Sequence, residues 1–305
     1  VTADRERLFA VADRELTTVV RTPAYVLAAA GFVVVVLGLA LASGLTGYVP
    51  LAVDLLAPVE VLVPLLAVAF GYRSLGEGTG ETERPVLRTY PLPRWAYVGG
   101  VYLGRAAVVL SLVFTTLLVA GVLVPFFGPE ESRVIATHGG EGSFGAYLRF
   151  VVLATVYAGG VLAAVVAVSA VTSTERTGVA GAVGLFALLT IGIDLGFVGG
   201  LAAGVLGPES LRYLQALGPN GAFRGLVLTL VVRTVDATVI PTSAVVAYAI
   251  GLTAWLAGSL ALATALVWPE PTAGGWQQVE TVEERSDPDA TDRNETAAVD
   301  TAPED

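Results

Sequence analysis

The sequence predicts an all-α polytopic membrane protein with six transmembrane helices, and three observations carry that prediction. Hydrophobic residues make up 54% of the 305 and charged residues only 14%, against roughly 25% charged in soluble domains. Several apolar runs exceed the roughly 18 uncharged residues that mark a spanning helix. The arginines gather on alternate loops, as the positive-inside rule expects of a chain that crosses a bilayer repeatedly.

Residues 1–24 are polar, carry both charge signs and do not resemble a cleavable signal peptide. Leu8, Val11, Ala12, Leu16, Val19 and Val20 recur at helical spacing, with Arg5, Arg7, Asp13, Arg14 and Arg21 mainly between them. This predicts an N-terminal amphipathic helix, either an interfacial helix lying on the membrane or a short cytosolic lead-in. The six spans fall at 25–44, 51–71, 99–124, 147–171, 178–204 and 244–268 within a transmembrane domain of 25–268. The loops between them include a long charged one at 72–98. Residues 221–232, GAFRGLVLTLVV, are apolar but too short to span, and Arg224 interrupts them. Such runs are re-entrant or interfacial, and this one is assigned to the outer face. Twelve of the seventeen arginines lie on one side, counting Arg105 just inside the third span. That side is read as cytoplasmic, with both termini on it in a multi-pass protein of the cell membrane. Tyr25, Tyr72, Trp95, Tyr97 and Trp268 fall at the inner boundary, and Tyr48, Phe126, Phe127 and Tyr147 at the outer one. They form the aromatic belt.

The tail, 269–305, has another composition: eleven acids, two arginines and almost no apolar residues. It lacks the apolar surface needed to fold and is read as a disordered acidic cytoplasmic tail. The chain contains Arg but no Lys, no Cys, no Met and a single His, His138. Disulfides, thiolate metal sites, Cys nucleophiles and Schiff-base lysines are thereby excluded from these residues. A Walker A loop, which needs its Lys on the phosphates, is excluded as well. His138, with Glu141 nearby in HGGEGS, does not make a metal site. The acid-rich, all-Arg composition resembles that of extreme halophiles, whose acidic surfaces hold hydration in high salt.

Ionisable residues inside apolar spans are costly and mark function or packing. Asp54 and Glu60 lie in the second span and Asp194 in the fifth. Asp54 is close enough to the boundary to be hydrated. For Glu60 and Asp194, hydrogen bonding between helices, lining of a polar path and proton coupling are all open. Gly192, Gly196, Gly200 and Gly204 repeat every four residues along the fifth span and predict a seam for close helix packing. On a uniform α-helix Asp194 faces away from that seam. Gly100 and Gly104 make a weaker pair at the start of the third span.

Several phrases together resemble a known family. Phe70, Gly71, Tyr72 and Arg73 end the second span; Glu81, Glu83 and Arg84 follow; then come Tyr90, Pro91, Leu92, Pro93 and Arg94, and Leu103, Gly104 and Arg105 lead into the third span. A later phrase runs through Gly218, Pro219, Asn220, Ala222, Phe223, Arg224 and Gly225. These resemble ABC-2 type permeases, particularly the permease of the nitrous-oxide-reductase maturation system. Pro85, Thr89 and Pro93 depart from the family's usual residues. The resemblance implies a transmembrane subunit, usually dimeric, driven by a separate ATPase that binds ATP and Mg, with no cofactor in this chain. It also implies a coupling helix in the 72–98 loop. Within it, Glu81, Glu83, Arg84, Arg88 and Arg94 offer charge and Leu87 and Tyr90 an apolar anchor; Glu83, Leu87 and Tyr90 would share one helical face.

The expected function is thus an ABC-2 permease subunit, an exporter rather than an enzyme. Its partners are an ABC ATPase subunit, a second permease copy or paired permease, and the lipid bilayer, with no nucleic acid. A proton-coupled secondary transporter using Glu60 and Asp194, or a non-transporting membrane scaffold, are the competing expectations. The secondary transporter should show internal repeats, which the two halves of this chain do not display.

Overall fold

The computed structural model describes residues 2–75, 93–127, 142–172, 174–207, 213–232 and 242–267. They are helical throughout apart from short turns: α1 (Thr2–Arg21), α2 (Pro23–Ala42), α3 (Tyr48–Gly71), α4 (Arg94–Phe127), α5 (Phe144–Val171), α6 (Glu175–Ala187), a π turn (Leu188–Gly192), α7 (Ile193–Ala202), a 3₁₀ turn (Gln215–Leu217), α8 (Pro219–Leu230) and α9 (Thr242–Leu266). Six rods are long and apolar enough to cross a membrane: α2, α3, α4, α5, the continuous α6–π–α7 rod, and α9. Each coincides with a span expected from the sequence, displaced by a few residues at the ends.

The core is built around α5. Tyr147, Phe150, Tyr157 and Leu162 on this helix are fully buried, and between them lie Ala and Gly. Small residues let neighbouring backbones approach, which is how helices associate where lipid removes any hydrophobic drive between them. A side chain at Gly71 would strike Val165 at 2.7 Å, and one at Gly121 would strike the Tyr147 ring. The Tyr147 hydroxyl donates to the Leu117 carbonyl at 2.8 Å, and Tyr102 donates to the Gly159 carbonyl at 3.1 Å. These bonds fix α4 against α5 while satisfying hydroxyls that have no water to turn to. Among the described residues no buried side-chain nitrogen or oxygen lacks a partner.

α1 packs against α4. Its stripe of Leu8, Val11, Ala12 and Leu16, closed by buried Val19, lies along the first half of α4. Val20, expected on the same stripe, is exposed. The approach is close because α4 presents glycines. A side chain at Gly100 would meet the Leu8 carbonyl and the Val11 Cβ, each at 2.7 Å; one at Gly104 would meet the Ala12 carbonyl at 2.5 Å. The weaker of the two glycine patterns in the sequence is therefore the one that packs. At 34 residues α4 runs to about 51 Å, against roughly 30 Å of bilayer hydrocarbon.

The apolar run around 221–232 folds as α8, a 12-residue helix far too short to span. Pro219 opens it at a position where the missing N–H costs nothing. Pro219, Asn220, Ala222, Phe223, Leu226 and Val227 are buried. Gly225 lets α8 close on the ring of Tyr248 in α9, and Gly251 of α9 lies against the Ala216 backbone. Trp255 of α9 caps the 3₁₀ turn, its indole donating to the Leu217 carbonyl at 2.8 Å. The acidic tail at 269–305 lies outside the described residues.

Candidate functional site

Helical spacing on α8 sets up the site. Asn220, Phe223 and Arg224 fall on one face of that helix, three and four residues apart, and this face meets α3 and α5. The Arg224 guanidinium grips Glu60 of α3 with two parallel bonds, Nε to Oε1 at 2.8 Å and Nη2 to Oε2 at 2.5 Å. This bidentate geometry is the strong form of an arginine–carboxylate contact. Its remaining terminal nitrogen reaches Asp194 Oδ2 of α7 at 3.3 Å. The Glu60 side chain is 7% exposed, Arg224 36% and Asp194 39%, so Glu60 is the buried member of the cluster and the guanidinium runs from it towards the more open Asp194. Glu60 sits roughly 18 Å along α3, near its middle, at 1.5 Å per residue.

Beneath this pair lies a second, neutral layer. Pro64 stands four residues after Glu60 and has no N–H, so the Glu60 backbone carbonyl loses its usual helical donor. Asn220 Nδ2 donates to that carbonyl at 3.3 Å, with the Tyr157 hydroxyl also 3.3 Å away. Tyr157 in turn donates to Asn220 Oδ1 at 2.6 Å, and its ring stacks on Phe223 at 4.7 Å between centroids. The proline that breaks the α3 ladder thus creates the acceptor that holds α5 and α8 in place. Buried backbone freed by proline within membranes is re-satisfied by neighbouring helices in this manner.

Asp194 arrives by a different route. The π turn at Leu188–Gly192 precedes it, with the Ile193 N–H bonded to the carbonyl of Leu188. π turns occur within α-helices where a functional side chain must be re-aimed. Ile193 packs under Gly218, where an added side chain would meet it at 3.1 Å. Beyond that point α7 buries no residue.

Of the sequence-predicted residues, the structure brings Glu60 and Asp194 together through Arg224 and leaves Asp54 exposed. The four-glycine seam is not continuous. Gly192 is covered by Leu188 of its own rod, Gly200 by Leu206, and Gly204 turns the chain with φ +68°. Gly196 faces open space, and among the described residues no helix of this chain packs on it. The π turn ends at Gly192, so the helix between Gly192 and Gly200 is regular; the seam stops because that helix ends at Ala202, before Gly204. Arg94 is half-buried at the start of α4; Glu81, Glu83, Arg84, Leu87, Arg88 and Tyr90, like His138, lie outside the described residues.

In the sequence Arg224 stands out as the charge interrupting the 221–232 run and as part of the family phrase, without an assigned partner. Its pairing was nonetheless signalled: a lone cation in an apolar segment requires a counter-charge, and two acids stood unpaired in the spans. Tyr157 and Asn220 gave no such signal, being neutral. Among the described residues no group of three or more His, Asp or Glu could hold a metal ion.

Six spans, a short embedded helix and a salt-linked cluster within the bundle define a multi-pass helical membrane protein. The chain belongs to the ABC-2 transporters: the family described as ABC-2 family transporter protein matches residues 52–268, from early in α3 to just past α9. It is the membrane component of such a transporter. A comparison with curated proteins gave no match.

Proposed function

We propose that this protein is the permease subunit of an ATP-driven exporter, coupled to a separate ATPase subunit that binds ATP and Mg. The supporting observation is the family match, which covers five of the six spans together with the charged loop between α3 and α4. The absence of Lys agrees, since these 305 residues contain no residue for the phosphate contact of a P-loop. In this reading both termini and the 72–98 loop are cytoplasmic, because arginine is concentrated on that side. The ATPase docks on Glu81, Glu83, Arg84, Leu87, Arg88, Tyr90 and Arg94, and the loop passes its movement to α3 and α4. Similarity to the permease of the nitrous-oxide-reductase maturation system and a halophilic source belong to the same reading.

The permease acts as a homodimer or a paired permease. The open flank of α7 at Gly196 supports this, since a second copy could approach there without a side chain in the way. The Arg224 contact favours a structural role for Glu60 and Asp194 over proton carriage, because one guanidinium bonds both carboxylates and ties α3 to α7, with the two-bond grip on Glu60. Co-purification tests the central claim. The ATPase should be recovered with the wild-type chain and lost with Leu87→Asp, which places an unpaired charge in the contact. Equal recovery with both would remove the docking assignment.

A further inference from the structure

A buried arginine lies at the end of the bundle where α1 packs. Arg105 of α4 has a side chain 5% exposed, and its Nε donates to Glu15 Oε2 of α1 at 3.0 Å. Its Nη1 donates to the carbonyl of Phe70. That carbonyl belongs to the last turn of α3, where backbone acceptors have no partner within the helix. One guanidinium therefore caps α3, anchors α1 and belongs to α4. The planar fork of arginine can do this with bonds in fixed directions, which the single ammonium of lysine cannot.

Two of the three tied elements, α3 and α4, frame the 72–98 loop, and α1 lies along the second of them. The chain leaves α3 just after Phe70 and enters α4 at Arg94. The exit is pinned again to α5, where the Ser74 and Ser169 hydroxyls lie 2.6 Å apart and the Leu75 N–H donates to Ser169 Oγ at 3.2 Å. The entrance is pinned to α1 through Gly100 and Gly104. A contact transmits force between two equilibria only if the intervening parts move together. We infer that Arg105 is the positioning residue for energy coupling: it binds α1, the exit of α3 and the start of α4 into one body, so that displacement of the loop by the ATPase moves all three. This rests on the permease reading above.

The test uses the full chain with its partner ATPase in lipid nanodiscs, as wild type, Arg105→Gln and Glu15→Gln. Three quantities are read: ATPase recovered per permease, the ATP turnover gained by the ATPase when bound, and the distance distribution between spin labels on cysteines replacing Thr17 and Leu65. Both positions are exposed, on α1 and α3, in a chain without native cysteine. ATPase recovery should stay within twofold of wild type for both variants. Arg105→Gln should lower the permease-dependent turnover at least fivefold and broaden the label distance at least twofold. Glu15→Gln, which leaves the bond to Phe70 in place, should give a smaller change in both. Wild-type turnover and wild-type distance width in Arg105→Gln would overturn the inference. If Arg105→Gln does not assemble, Glu15→Gln decides alone, and wild-type behaviour there removes α1 from the coupled body. Failure of the wild-type chain to retain any ATPase would instead remove the permease reading, and the coupling role with it.

Discussion

Glu60 and Arg224 show what a single side chain means inside this bundle. Removing one partner of a buried ion pair leaves an uncompensated charge, which costs about 3 kcal/mol or more. Arg224→Leu should therefore lower the unfolding temperature in detergent sharply, because Glu60 is almost inaccessible to water. Glu60→Leu combined with Arg224→Leu should recover most of that loss, since neither charge then needs a partner. A double variant no more stable than Arg224→Leu alone would show that the pair is not the energetic centre of the cluster. Tyr157→Phe removes the 2.6 Å bond to Asn220 while preserving the stack on Phe223. It should cost about 1 kcal/mol, read in the same unfolding experiment. At this scale the sequence revealed the charged members that interrupt long apolar runs, Glu60 and Asp194. It did not join them to their cation, because the run around Arg224 was too short to be treated as a span.

Among the helices, glycine carries opposite meanings in two places. Gly104 has α1 backbone against it, whereas Gly196 has open space. Gly104→Leu should force α1 off α4 and cost about 2 kcal/mol by overpacking; protease cleavage within α1, compared with wild type, measures the release. Gly196→Leu should leave the folded monomer unchanged, and its effect should appear in the oligomeric state measured by light scattering. If Gly196→Leu preserves the wild-type oligomer, the proposed partner surface lies elsewhere. Spacing alone could not separate these two cases. A four-residue repeat records that helices can approach, but whether one does depends on which element the tertiary fold brings there.

For the molecule as a whole, the six spans and the short embedded segment were legible because each reflects length and hydropathy, the two properties a bilayer imposes most strictly. Single cysteines introduced at 85 and 280 should resist impermeant reagents added outside intact cells, and labelling of either would invert the topology. What spacing did not reveal was the docking of α1 on α4. That contact depends on Gly100 and Gly104 meeting the α1 backbone, and hydropathy marks where a span is apolar, not which element lies along it.

The π turn before α7 has a consequence for how this protein tolerates changes in length. An ordinary helix that gains or loses one residue rotates everything downstream by about 100°. The Leu188–Gly192 turn already accommodates one residue more than a regular helix would. Deleting Thr190 should let the rod relax to plain α-helix while the aspartate still points at Arg224, so the shortened chain should keep wild-type stability. The same deletion made at Val183, within α6, should swing the aspartate away from its guanidinium and lower stability. Relatives of this chain that lack a residue in the turn are thus expected to preserve the contact, and relatives that lack one elsewhere in the rod are expected to have lost it.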